Sequence, residues 1–136
     1  SDPDTHSFRA MDWSSYLTVL RSEQALQAGS AQNVAVAVAA GEMLDGEQAP
    51  GIVGGDSFAA LLRDLRHDDE VQAVVLRIDS PGGSMYAAER IRREVAALRD
   101  AGKPVVVSMG SVAASAGYYI AAPADRIYAA PTTLTG

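Results

Sequence analysis

The sequence predicts an α/β domain: a parallel sheet assembled from βαβ units. Three observations predict it. Short Val-rich apolar runs recur at residues 33–39 (NVAVAVA), 71–78 (VQAVVLRI) and from 105 onward (VVV). Segments with helical spacing of apolar residues separate them, and strands alternating with helices imply parallel pairing with right-handed crossovers. The turns that follow two of the strands, DSPGG and SMGSVAASAG, are built from small residues.

Residues 1–11 are polar and irregular and read as a loose N-terminal arm. Over residues 12–28, Trp13, Tyr16, Leu17, Leu20 and Ala25 recur at helical spacing, with Gly29 as a stop. The run 33–39 is apolar throughout, the pattern of a strand covered on both faces. Residues 41–55 hold five Gly and one Pro and read as a long surface loop. Asp56 or Ser57 is the expected cap of a helix through Phe58, Leu61, Leu62 and Leu65, ended by the charged run HDDE. After the strand 71–78 come DSPGG and a long amphipathic helix from Ser84 to about Asp100, closed by Ala101-Gly102. Lys103-Pro104 restarts the chain into a third strand. A turn over residues 108–117 is expected next, then a short helix at 115–122 and a fourth strand at 126–130.

At 136 residues the chain has the length of one domain able to bury a core. It is 48% hydrophobic and 21% charged, an ordinary globular balance. Net charge is −6, and the arginines are scattered among 17 acids without a basic stripe, which argues against a nucleic-acid partner. Without cysteine, neither a disulfide framework nor a thiolate metal site is available. No apolar run approaches the roughly 20 residues that span a bilayer. The chain does not begin with Met and stops after PTTLTG, so both ends read as cut from a longer protein.

Chemistry is expected where the two small-residue turns meet, because ligands gather at the carboxyl ends of parallel strands. In DSPGG, Pro81 fixes φ while Gly82 and Gly83 expose backbone N–H groups. Such donors suit an oxyanion hole, although a tight strand-to-helix turn needs the same residues. In the second turn Ser115 falls at the start of a short helix, where free N–H groups favour a developing anion. The Ala116 N–H is a second candidate donor. The same serine would also serve as an ordinary helix cap.

The stretches GGDSFAALLRDLRHDDEVQAVVLRIDSPGGS, AGKPVVVSMGSVAASAGYYIAAPADRIYA and PTTLTG resemble the signal peptide peptidase A family, membrane-bound serine proteases related to the Clp protease and crotonase folds. More narrowly, they resemble the carboxy-terminal repeat of that family's long, two-repeat form. The resemblance implies that residues 12–136 are a crotonase-like catalytic domain truncated at its C-terminus. It implies Ser115 as nucleophile, Gly83 as an oxyanion donor within SPGG, and a Ser–Lys dyad needing neither metal nor cofactor. It further implies peptide substrates (the remnants of cleaved signal peptides), a ring-like homo-oligomer, and a bacterial inner-membrane anchor. The catalytic domain would then lie on the extracytoplasmic side and this piece would be soluble. One departure is Ala116-Gly117, where the family usually has two glycines; a slight narrowing of the site is expected.

The base is missing. His6 lies in the arm, and His67 sits in HDDE on the amino side of its strand, so both read as structural or solvated. Lys103, the one lysine, lies at the end of the sheet opposite the two turns. The resemblance accordingly implies a lysine from outside the chain. Asp79 is expected to cap its turn or pair with Arg77 or Arg90. Ser80, Ser84, Ser108 and Ser111 are the alternative hydroxyls: Ser80 serves its turn and Ser84 caps the long helix. Tyr118 and Tyr119 read as core or subunit contacts, and the loop 41–55 as a border of the substrate groove. Two other functions remain open: an acyl-CoA enzyme of the crotonase type, with the N–H pair on a thioester enolate, and a non-catalytic assembly module.

Overall fold

The computed structural model describes residues 33–136. The expected arm (1–11) and first helix (12–28) lie outside the described residues. Strand β1 (Asn33–Ala40) leads into β2 (Met43–Leu44) and β3 (Val53–Gly54). Helix α1 (Gly55–His67) and strand β4 (Val71–Ser80) follow, then α2 (Met85–Asp100) and β5 (Val105–Ala113). A four-residue helix α3 (Ala116–Tyr119) and the short strands β6 (Arg126–Tyr128) and β7 (Leu134–Thr135) complete the order.

The main sheet runs β1-β4-β5-β6, all parallel, with β7 added beside the carboxyl end of β5. The α/β class and the parallel βαβ units are as the sequence predicts. Because the strand order advances in one direction, right-handed crossovers put successive helices on the same face. One core forms there: Ala37, Ala39, Leu76, Ile78 and Val107 pack with Phe58 and Leu62 of α1 and Ile91, Val95 and Leu98 of α2. The expectation that β1 is covered on both faces fails for this reason. Its alternate residues Val34, Val36 and Val38 are 60%, 63% and 55% exposed on the opposite face.

Three local expectations also change. The N-cap of α1 is Gly54, with no side-chain cap; Asp56 and Ser57 are already inside the first turn. Residues 41–55 contain a two-stranded parallel pair, β2 with β3, instead of a plain loop. The expected turn at 108–117 is mostly strand, since β5 continues to Ala113. It does so through an irregularity: Ile78 pairs with Met109, yet Ser80 pairs with Ala113. The extra residues on β5 form a bulge, which bends a strand and re-aims the chain beyond it.

Candidate active site

The bulge delivers the chain into a sharp strand-to-helix turn at Ser115. Its backbone stands at φ +52°, ψ −121°, and it is the single non-glycine residue with positive φ among the described residues. An L-residue reaches that region at a cost on the order of 1–3 kcal/mol, sustained only where the surroundings over-determine it. The surroundings are identifiable. The Ser115 N–H donates to the Gly136 carbonyl at 2.6 Å, and the Ser115 carbonyl accepts from the Tyr119 N–H at 2.9 Å. Ser115 is exposed, and its side chain makes no cap bond to α3. It is therefore not the helix cap that its position first suggests.

The strand leading to the turn is fastened on both sides. On one, Asp79 accepts from the Val112 N–H at 3.0 Å. It bonds neither arginine expected for it: Arg77 donates to Ser108 Oγ and the Met109 carbonyl, and Arg90 faces Asp56 at 2.7 Å. On the other side, the Thr133 hydroxyl donates to the Gly110 carbonyl and the Thr135 hydroxyl to the Ala113 carbonyl, each at 2.9 Å. PTTLTG thus acts as a strap across the bulge.

The two predicted turns do meet. The Ala114 N–H donates to the Ser80 carbonyl at 3.1 Å. A Cβ placed on Gly82 would lie 2.9 Å from Ser115 Cβ and 2.9 Å from the Ala116 nitrogen. Only a glycine allows that approach, and its φ of +103° independently favours glycine. The Gly82 N–H is taken by Ser80 Oγ at 3.1 Å, so Gly82 contributes the lack of a side chain. Ser80 is fully buried, serving its turn as expected. The neighbouring Gly83 (φ +143°) is exposed, and its N–H has no hydrogen-bond partner among the described residues. Neither has the Ala116 N–H, which is enclosed: Ala116 is 0% exposed and its methyl group belongs to the core. The expected narrowing of the site by that methyl is therefore absent.

Met43 braces the glycine turn. Its N–H donates to the Gly82 carbonyl and its carbonyl accepts from the Ser84 N–H, both at 2.8 Å. The segment 41–55 is thereby bonded to the glycine turn through Met43. Ser84 caps α2, its Oγ accepting from the Ala87 N–H at 3.2 Å, while its hydroxyl donates to Asp45. Ser111 is exposed and Ser108 is held by Arg77. His67 ends α1, remote from the carboxyl ends of the strands. Lys103 Nζ donates to the Leu65 carbonyl at 2.9 Å and also to that of Asp68, closing the C-terminus of α1. Neither group is near Ser115.

Sequence reasoning missed one cluster. The Tyr119 hydroxyl donates to Glu89 Oε2 at 2.8 Å, and Arg92 and Arg93 grip the same carboxylate at 2.7 and 2.8 Å. Hydrogen bonds from Arg92, then Arg93 and Tyr119, hold the Glu89 carboxyl well below the usual carboxylate range. The helical spacing of Glu89 to Arg92 and Arg93 is readable in the sequence; the tyrosine partner is not.

Solved structures place this fold. The membrane-bound stomatin-specific protease 1510-N (as a serine-to-alanine mutant) aligns with TM-score 0.58 and 24% identity, over 78% of this chain and 47% of that one. A structure described as an enoyl-CoA hydratase/isomerase from Acinetobacter baumannii aligns at 0.53 and 25%, over 69% and 41%. ClpP1 from Listeria monocytogenes aligns at 0.50 and 21%, over 65% and 46%. The class is the Clp protease/crotonase-like α/β fold.

Sequence relatives narrow it further. Residues 97–136 match the model of peptidase family S49. Protease 4 of Salmonella typhi is 59% identical over 103 residues, and Protease 4 of Haemophilus influenzae 48% identical over 103; each match covers 76% of this chain. The chloroplastic serine protease SPPA of Arabidopsis thaliana is 45% identical over 75 residues, covering 55% of this chain and 11% of that protein. Over these residues the chain is similar to the signal peptide peptidase A family of proteases. It spans 17% of the length of each Protease 4 it matches.

Proposed function

We propose that this domain carries the nucleophile of a serine endopeptidase, with Ser115 as the attacking group and its general base supplied by a lysine from outside the chain. The observation that carries the reading is the strained backbone of Ser115 at an exposed strand-to-helix turn. Strain held in place by surrounding bonds is characteristic of functional positions. The partnerless N–H of Gly83 and the Ala116 N–H beside it support the same reading.

In the proposed reaction Ser115 Oγ attacks the carbonyl carbon of the scissile peptide as the lysine amine takes the hydroxyl proton. The carbonyl π electrons move to oxygen, and the Gly83 and Ala116 N–H groups stabilise the oxyanion, each donor contributing roughly 10²–10³ in rate. Collapse expels the amine product, which receives the proton from the lysine, and water then hydrolyses the acyl-serine. The lysine must be neutral to act. Desolvation that brings it from about 10.4 to about 7 costs roughly 4–5 kcal/mol.

The family supports more specific readings: cleaved signal peptides as substrates, the carboxy-terminal repeat of a two-repeat parent, assembly into a homo-oligomer, and an inner-membrane anchor with extracytoplasmic catalysis. Among the described residues no helix is long and apolar enough to cross a membrane. Asp79, the carboxylate beside the turn, is engaged by Val112, which leaves the acyl-CoA alternative without an obvious acid or base there.

Fluorophosphonate labelling read by intact mass tests the proposal, on this chain and the full-length parent, each beside a Ser115→Ala control. The parent alone is expected to label, and Ser115→Ala to abolish it. Labelling of the isolated chain would refute the outside lysine; labelling that survives Ser115→Ala would refute the nucleophile.

A further inference from the structure

The four residues of α3 are too few to hold their own geometry, since a helix of that length is not stable by itself. Yet α3 supplies the bond that fixes the carbonyl of Ser115, from the N–H of Tyr119 one turn on. Whatever immobilises Tyr119 therefore immobilises the carbonyl side of the strained residue. Tyr119 is held in two ways by α2. Its hydroxyl donates to Glu89 Oε2 at 2.8 Å, and the Arg92 guanidinium lies 5.6 Å from its ring centroid, within cation–π range.

Glu89 is itself fixed. Arg92 donates to both of its oxygens, at 2.7 and 3.0 Å, and Arg93 adds a third bond at 2.8 Å. These are charge-assisted bonds in a forked geometry, stronger than neutral ones. Ala116 and Gly117 are buried on α3, the latter against Ser80 of β4, and Ala87, Ala88 and Ile91 are buried on α2. The tyrosine is thus the one polar tie between the short helix and the long one among the described residues.

We infer that Glu89 and Tyr119 form a clamp that positions Ser115 for attack, with α2 as the rigid support and Arg92 and Arg93 fixing the carboxylate. This rests on the reading of Ser115 as nucleophile. Glu89 and Tyr119 are positioning residues; neither is assigned contact with the reacting atoms. A misplacement of a reacting group by about 1 Å can cost on the order of a hundredfold in rate. Release of one of two constraints on α3 should cost roughly tenfold, in turnover and not in substrate affinity.

The experiment uses the full-length parent with a fluorogenic peptide and with a fluorophosphonate, comparing wild type, Tyr119→Phe, Glu89→Gln, Glu89→Ala and Ser115→Ala. Tyr119→Phe removes one hydroxyl and keeps the ring, so folding is expected to survive, checked by the thermal unfolding midpoint. The expected result is a roughly tenfold fall in kcat and in labelling rate with KM unchanged. Glu89→Gln keeps an acceptor for the tyrosine and should retain most of the rate, whereas Glu89→Ala should match Tyr119→Phe. If Ser115→Ala abolishes labelling but Tyr119→Phe reacts at the wild-type rate, the clamp is refuted and the nucleophile stands. The clamp is refuted equally if Tyr119→Phe only lowers the unfolding midpoint. If labelling persists in Ser115→Ala, the nucleophile reading fails and the clamp with it.

Discussion

Ser115 is where the backbone departs furthest from what its side chain prefers. At most positions alanine is more stable than glycine by roughly 0.4–1 kcal/mol, because glycine gives the unfolded chain more freedom. At φ +52° that order should invert, since glycine alone occupies the region without steric cost. We predict that Ser115→Gly is more stable than Ser115→Ala by about 1 kcal/mol, read from urea unfolding midpoints at equal slope. Equal stability, or alanine ahead, would mean that the turn relaxes in solution and that no strain is stored there. The sequence offers no warning of this angle: a serine flanked by alanines reads as a cap, and the atoms that force the conformation come from Gly136 and Tyr119.

At the scale of elements, β5 is the strand on which the site depends, and its two ends are secured by different chemistry. Its bulged carboxyl end is tied by Asp79, Thr133 and Thr135. Its amino end is tied by Asp125, which accepts from the Val105 N–H at 2.8 Å and pairs with Arg99 at 2.8 Å. The Val105 N–H first, and then Arg99, hold the Asp125 carboxyl below its ordinary value. Because the folded-state pKa lies below that of the unfolded chain, this stabilisation is complete above the unfolded value of about 3.9 and is lost as pH falls through the folded one. Glu89 is depressed in the same direction and adds to the same acid limb. Unfolding midpoints measured from pH 7 down to pH 2 should fall below about pH 4, and Asp125→Asn should flatten that fall while lowering the midpoint at pH 7. Parallel curves for the two proteins would remove Asp125 from the account. Much at this scale was legible in the sequence. Leu62 with Phe58, and Ile91, Val95 and Leu98, mark the buried faces of α1 and α2 by spacing alone, and Ser84 announces its cap. The path of β5 was not legible, because SMGSVAAS has the composition of a turn. It stays extended because neighbours flank it on both sides, and pairing overrides intrinsic β-propensity.

For the whole molecule the decisive fact is the direction of winding. A sheet ordered β1-β4-β5-β6 with right-handed crossovers sends its crossover helices to one face, so residues 33–136 cover one side of the sheet and leave the other open. That is why six residues of alternating Val and Ala after Asn33 suggested burial on both faces while the structure delivers one. Ala37 and Ala39 are buried, but Val36 beside them is 63% exposed. Parallel sheets are ordinarily covered on both faces, and among the described residues no strand pairs with the outer edge of β1. Among the described residues an apolar face thus lies next to an unpaired edge, an arrangement that favours association of this chain with itself. We predict that sedimentation equilibrium of the 136-residue chain gives an apparent mass that rises with concentration, and that the pair Val36→Glu and Val38→Lys suppresses the rise. The pair should change unfolding stability by only about 0.5 kcal/mol, whereas Leu76→Ala on the covered face should cost about 2–5 kcal/mol. The contrast makes the test specific: a double variant that unfolds as readily as Leu76→Ala would mean that the valines are already part of a core, and an unchanged mass profile would mean that association proceeds through some other surface.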